Sequence, residues 1–347
     1  MRYREAIQSG FRIINKNWQL VLIQVGAMFA SFMGFFIIVG IPLAIAFIIF
    51  GLDLTDLSRL EDVFRTFREP SEILSKYFGL AILVLTSLLL YITVVLAVGI
   101  FIFGGSIGVI SRSIRDSAGK FQAKVFLSEG KRLFFPLIGF TLLVGLIFIL
   151  VAFVLGLFGG LISAVVSIAR EQEATLALFL GIFFSLILFV IALTLILVTL
   201  SVTVYGSAVM AVRGAGPVKS LKESVRYLFA HAQAFYLYCL VFAGYLFISF
   251  IVMSISYAIG LIPLIGPLLA LLYQFGAYII QSYAGLVMIA ALFSCYYFLT
   301  AEALAEEQSP PRTVTPSGDS GEKTGASEPQ APGQGGFPPE RDRGSGI

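Results

Sequence analysis

The stretch Trp18-Gln19-Leu20-Val21-Leu22-Ile23-Gln24-Val25-Gly26-Ala27-Met28-Phe29-Ala30-Ser31-Phe32-Met33-Gly34-Phe35-Phe36-Ile37-Ile38-Val39-Gly40 decides the fold. It continues without a charged residue to Phe50. A helix needs about 20 apolar residues to cross a hydrocarbon core about 30 Å thick. This run has 33 residues. It is far longer than the roughly 7–15 residues of a signal-peptide core, so it reads as a retained anchor. At about 1.5 Å per residue it must tilt, kink or project beyond the bilayer. Pro42 is the expected kink, because proline removes a backbone donor and its ring crowds the preceding turn.

Five further apolar runs follow, at about 77–111, 133–169, 174–212, 234–260 and 264–301. Each is long enough to span. Leu261-Ile262-Pro263-Leu264-Ile265-Gly266-Pro267 reads as an apolar turn between the last two. The expected fold is all-α: a polytopic integral membrane bundle of six transmembrane helices, with interfacial amphipathic helices and a disordered C-terminal tail. The bulk composition agrees. Of 347 residues, 58% are apolar and 12% charged, and the mean hydropathy is +0.96. A soluble domain averages roughly 45–50% apolar and about 25% charged. That excludes an ordinary cytosolic enzyme, and a net charge of +3 is too small to argue for nucleic acid.

Charge placement predicts orientation. Arg2, Arg4, Arg12, Lys16, Arg112, Arg115, Lys120, Lys124, Lys131, Arg132, Arg213, Lys219, Lys222 and Arg226 fall on one side of the six spans. Only Arg59, Arg65, Arg68, Lys76 and Arg170 fall on the other, where the first loop also carries six acids. Basic loops stay inside. The expected location is therefore the cell (inner) membrane, multi-pass, with both termini cytoplasmic. In the first outer loop Leu57, Leu60, Val63, Phe64 and Phe67 fall at helical spacing, which predicts an amphipathic helix on the outer leaflet, ended by Pro70-Ser71. Two domains follow. Residues 1–305 form the membrane domain. Residues 306–347 form a cytoplasmic tail; half of its last 40 residues are Pro, Gly or Ser, too little apolar surface to order it.

An internal register runs through the cytoplasmic segments. Aligning Arg12, Arg132 and Arg226 also aligns Ile7, Leu127 and Leu221, and the small residues Gly10, Gly130 and Ser224. This predicts three units, starting near 1, 113 and 213, each an amphipathic helix followed by a membrane hairpin. All three share one orientation, unlike the inverted repeats of many transporters. Arg12, Lys131, Arg132, Lys222 and Arg226 are the candidate contacts to lipid headgroups, since cations at an anionic leaflet are favoured.

Chemistry inside the membrane is sparse. No Asp, Glu, Lys or Arg lies at mid-span, and such groups normally mark ion paths and proton relays. Cys239 and Cys295 sit in apolar runs without metal-ligand spacing, and His231 is the lone histidine, placed among aromatics at an interface. The reading is non-enzymatic, with no catalytic constellation, no metal and no cofactor. Gln274 and Gln281 lie seven apart on the sixth span, hence on one face. They either bond between helices or line a polar site. Gly26, Ala30 and Gly34, then Gly104 and Gly108, then Gly156 and Gly160, are small-residue faces for close helix packing, and oligomerisation through such faces is an option. Membrane lipids are the expected partners; no protein partner is indicated.

The stretch Ala208-Val209-Met210-Ala211-Val212-Arg213-Gly214-Ala215-Gly216-Pro217-Val218-Lys219-Ser220-Leu221-Lys222-Glu223-Ser224 leaves the membrane, breaks at Gly-Pro and re-enters through a short helix. It resembles prokaryotic six-span proteins: the membrane domain attached to some glycerophosphodiester phosphodiesterases, and the YciC-like uncharacterised membrane proteins. The likeness spans about residues 1–305. The catalytic barrel of the phosphodiesterases has no counterpart in the sequence, so the resemblance implies a membrane module without that activity. Two readings are open: a lipid-associated organising or anchoring module, or a permease for a lipid or amphipathic small solute.

Overall fold

The computed structural model describes residues 3–55, 70–116, 121–262 and 265–308. The expected outer-leaflet helix at Leu57–Phe67, the middle of the apolar turn at Pro263 and Leu264, and the tail beyond Gln308 lie outside the described residues. The described residues contain helices and no strand: α1 Tyr3–Lys16, α2 Gln19–Phe35, a π turn Phe36–Gly40, α3 Ile41–Thr55, α4 Pro70–Arg115, α5 Ala123–Gln172, α6 Ala174–Arg213, α7 Pro217–Ala230, α8 Ala232–Gly260 and α9 Gly266–Gln308. Six stretches are long and apolar enough to cross a membrane: Gln19–Ile49, Phe78–Arg115, Ala123–Gln172, Ala174–Arg213, Ala232–Gly260 and Gly266–Thr300. The chain is an all-α polytopic membrane protein. It divides into the units Met1–Leu304 and Ala305–Ile347, and the helical bundle is the first of these.

The first run shows how the sequence handles its proline. Pro42 has no N–H, and its ring would strike the carbonyl of Ile38 in a regular helix. The chain widens by one residue per turn at Phe36–Gly40 and resumes an α-helix at Ile41. A π turn is a recognised cause of helix bending.

Burial is concentrated at the end of the bundle where Lys and Arg gather. The closing segments of α4 (Gly104–Ser111), α6 (Tyr205–Ala211) and α9 (Ala290–Tyr296) are buried on every face. Against each lies one of the three amphipathic segments. Gly10 of α1 packs on the backbone of α9 at Val287 and Ala291. Gly130 of α5 packs on Phe101 of α4, and Phe126 lies on Gly105 in return. The Tyr227 ring of α7 lies tilted against Tyr205 of α6 at 5.2 Å and edge-on to Tyr296 of α9 at 5.0 Å. Gly10, Gly130 and Ser224 are all buried. At the far end Leu157, Phe158, Leu161, Leu178 and Phe179 are exposed, as lipid-facing residues should be.

One expectation is corrected. The middle amphipathic segment is not a separate interfacial helix: α5 runs unbroken from Ala123 to Gln172, straight through Pro136. At about 1.5 Å per residue that is about 75 Å of helix. The reason is packing. Phe126, Leu133, Leu137, Phe140 and Val144 recur at helical spacing and are buried in one continuous stripe, so a break would misalign them. The third segment does break. Gly214, at φ 65°, ends α6 and its N–H bonds the Met210 carbonyl at 2.9 Å, while Pro217 opens α7.

Tyr205 is fully buried and its hydroxyl donates to the Ala234 carbonyl at 2.8 Å, tying α6 to the first turn of α8. That carbonyl lies inside a helix, so it keeps a backbone partner when the tyrosine is lost. Tyr205→Phe is therefore expected to cost about 1 kcal/mol, not the full penalty of an orphaned acceptor. Thermal melting in detergent micelles reads it; an unchanged midpoint would show that the bond contributes nothing.

Candidate functional site

The five cationic candidates share one end of the bundle but not one role. Arg12, Lys131, Lys222 and Arg226 are exposed and make no ion pair among the described residues. Arg132 differs. It pairs with Glu129 at 2.7 Å and donates to the Ala211 carbonyl at 3.3 Å. Arg115 likewise donates to the Val212 carbonyl. The two arginines thus cover the last-turn carbonyls of α6, which have no partner within their own helix. Arg132 holds the bundle together, and the sequence could not separate it from its neighbour Lys131. Arg213 is also engaged, with Glu223 at 3.2 Å.

His231 marks the break between α7 and α8. Its ring stacks on Tyr227 at 4.9 Å, and its Nδ1 lies 3.2 Å from the Tyr227 carbonyl. Burial first, then the adjacent Cys295 thiol and Tyr296 phenol, pushes the Tyr227 hydroxyl well above the usual phenol range. It stays neutral at physiological pH. Cys239 and Cys295 are both free thiols, and among the described residues no three His, Cys, Asp or Glu side chains come together as a metal site.

Among the described residues Gln274 and Gln281 make no hydrogen bond to another helix, and both glutamines belong to one cavity wall. Both line a cavity of about 570 Å³ between α8 and α9, closed on one side by Met28 of α2. Ser249 and Ser256 of α8 line it too. Those serines were missed, although their signal was present: they are seven apart, as the glutamines are. Several other span hydroxyls are consumed locally. Ser106, Thr199, Thr203 and Ser294 bond carbonyls four residues back on their own helices. Tyr278 at the cavity wall donates to the Gln24 carbonyl at 3.4 Å, linking α9 to α2. A second, apolar cavity of about 260 Å³ lies among α1, α8 and α9, lined by Ile7, Phe11, Leu240 and Met288.

The small-residue faces divide. At Gly104 an added Cβ would meet Leu137 at 3.1 Å, and Gly108 is packed against Glu129. At Gly26, Gly34, Gly156 and Gly160 nothing lies within 4 Å of an added Cβ. Compared with known proteins, the chain matches no family model, no curated protein and no solved structure.

Proposed function

We propose that the chain is a non-enzymatic multi-pass protein of the cell (inner) membrane, with both termini cytoplasmic, that organises lipid or anchors a partner at the inner leaflet. The observation that carries this reading is the set of four exposed cations, Arg12, Lys131, Lys222 and Arg226, which have no ion-pair partner among the described residues and are held at one end by three amphipathic segments. Near an anionic surface each such charge is worth about 1 kcal/mol. The test is co-purification of the full chain from vesicles of mixed phosphatidylglycerol and phosphatidylcholine. Replacing the four cations with glutamine should cut phosphatidylglycerol enrichment by about tenfold or more. Unchanged enrichment would overturn the reading. For orientation, Ser58→Cys should react with an impermeant thiol reagent from outside and Ser317→Cys only from inside; the reverse would sink it. The three-unit organisation and the six-span resemblance belong to the same proposal, as does self-association through the open faces at Gly26, Gly34, Gly156 and Gly160.

A second reading, a permease for a lipid or amphipathic small solute, is favoured by one specific observation. The cavity lined by Gln274 and Gln281 lies between helices at membrane depth.

A further inference from the structure

We infer that the α8–α9 cavity is a binding site for an uncharged membrane lipid whose head both donates and accepts hydrogen bonds. This deepens the second reading, and holds whether the occupant is carried or only held.

Depth comes first. The membrane-competent part of α9 runs from Gly266 to Thr300. Gln274 and Gln281 lie about 12 Å and about 22 Å along it from Gly266, at about 1.5 Å per residue. Gln281 is thus close to the middle of the span. An amide has a carbonyl that accepts and an NH2 group that donates twice. Hydrocarbon satisfies neither, so a polar group at this depth demands a partner. Gln274 and Gln281 have none within the described residues, and both face the cavity. The wall's phenol at Tyr278 is already committed to Gln24. The unmet hydrogen bonds therefore point to an occupant.

Chemistry follows from the lining. No Asp, Glu, Lys, Arg or His contributes to it. A charged headgroup would be desolvated there with nothing to compensate it. A hydroxyl, ester or amide head would instead find two amides, with the Ser249 and Ser256 side chains on the opposite helix. Both pairs repeat over seven residues, about 10 Å along a helix. The volume lies within the range of about 300–1,000 Å³ found for small-molecule sites. The rim residues Phe250 and Met253 are 69% and 73% exposed, so acyl chains can leave sideways into the bilayer.

The experiment uses the full chain in phosphatidylcholine vesicles carrying a photoactivatable diacylglycerol, or in a parallel arm a photoactivatable phosphatidylglycerol. Peptide mapping locates the label. Diacylglycerol should label 246–256 and 274–281, and the double variant Gln274→Leu, Gln281→Leu should lower that yield by about tenfold. That variant removes unpaired amides from hydrocarbon, so folding is retained. Ser249→Phe, which fills the cavity, should lower the yield similarly while leaving both glutamines in place. Wild-type yield in both variants, label outside the cavity, or equal labelling there by phosphatidylglycerol would overturn the inference. Diacylglycerol flip-flop across the same vesicles is read separately. Cavity labelling without flip-flop upholds the site and removes only the permease.

Discussion

Phe140→Ala is expected to destabilise the bundle by about 3 kcal/mol. Phe140 is buried on α5, and its ring lies directly on Gly206 of α6. Deleting a buried phenylalanine from a soluble core costs about 3–5 kcal/mol, part transfer and part cavity. Between lipid-embedded helices the water-transfer part shrinks, because the unpacked side chain meets hydrocarbon and not water. The cavity and lost dispersion contacts remain, which places the expectation at the low end. The partner change is Gly206→Ala, which drives a methyl group into the ring and should cost about 1–3 kcal/mol by overpacking. Combining Gly206→Ala with Phe140→Leu should restore roughly 1 kcal/mol relative to the sum of the singles, since the two sites touch. Unfolding in mixed micelles of increasing SDS content measures all five chains, wild type, the three singles and the double. Strict additivity would show that the glycine and the ring do not share a contact.

The second large effect is expected at Gly10. A Cβ there would meet the Val287 carbonyl oxygen at 2.8 Å and the Ala291 amide nitrogen at 2.9 Å. Both are backbone atoms of a packed helix, so no rotamer change relieves the clash. Gly10→Ala should therefore cost about 2–3 kcal/mol. The control is Gly26→Ala, where nothing lies within 4 Å. It should be neutral, or stabilise by up to about 1 kcal/mol through the ordinary preference of alanine over glycine in a helix. Equal melting shifts at the two glycines would rule out close approach of α1 and α9.

The six membrane-crossing stretches were legible because their signal is local. An apolar run from Trp18 to Phe50 can be read without knowing what it packs against. The register Gly10, Gly130, Ser224 was legible for a related reason: small residues are required wherever a helix meets another closely, and all three are buried. The role of the glycines was less legible. Gly104 and Gly156 look alike in sequence, yet the first has Leu137 against it and the second has open space. That distinction belongs to the neighbouring helix. So does the division of labour between Lys131 and Arg132, which turns on the carbonyl of Ala211, 79 residues from Arg132. The continuity of α5 was hidden because Lys131 and Arg132 mark a basic amphipathic segment apart from the apolar run, whereas the buried stripe from Phe126 to Val144 carries one helix through both. Of the polar residues that line the cavity, Gln274 and Gln281 stand out in the sequence by their amides, while Ser249 and Ser256 resemble the other serines of the spans.

The seat of α1 has a consequence for biosynthesis. Ser9 lies 3.1 Å from Ser294, 285 positions away in the chain. At about 5–20 residues per second, the ribosome needs roughly 15–60 s to produce that interval. Throughout that time the first helix has been made and its docking surface has not. Its apolar stripe, Ala6, Ile13 and Ile14, must then be sheltered by the lipid surface, which its amphipathic character suits. The last span serves as the closing piece. A chain arrested before Ala291 lacks the seat that Gly10 packs on.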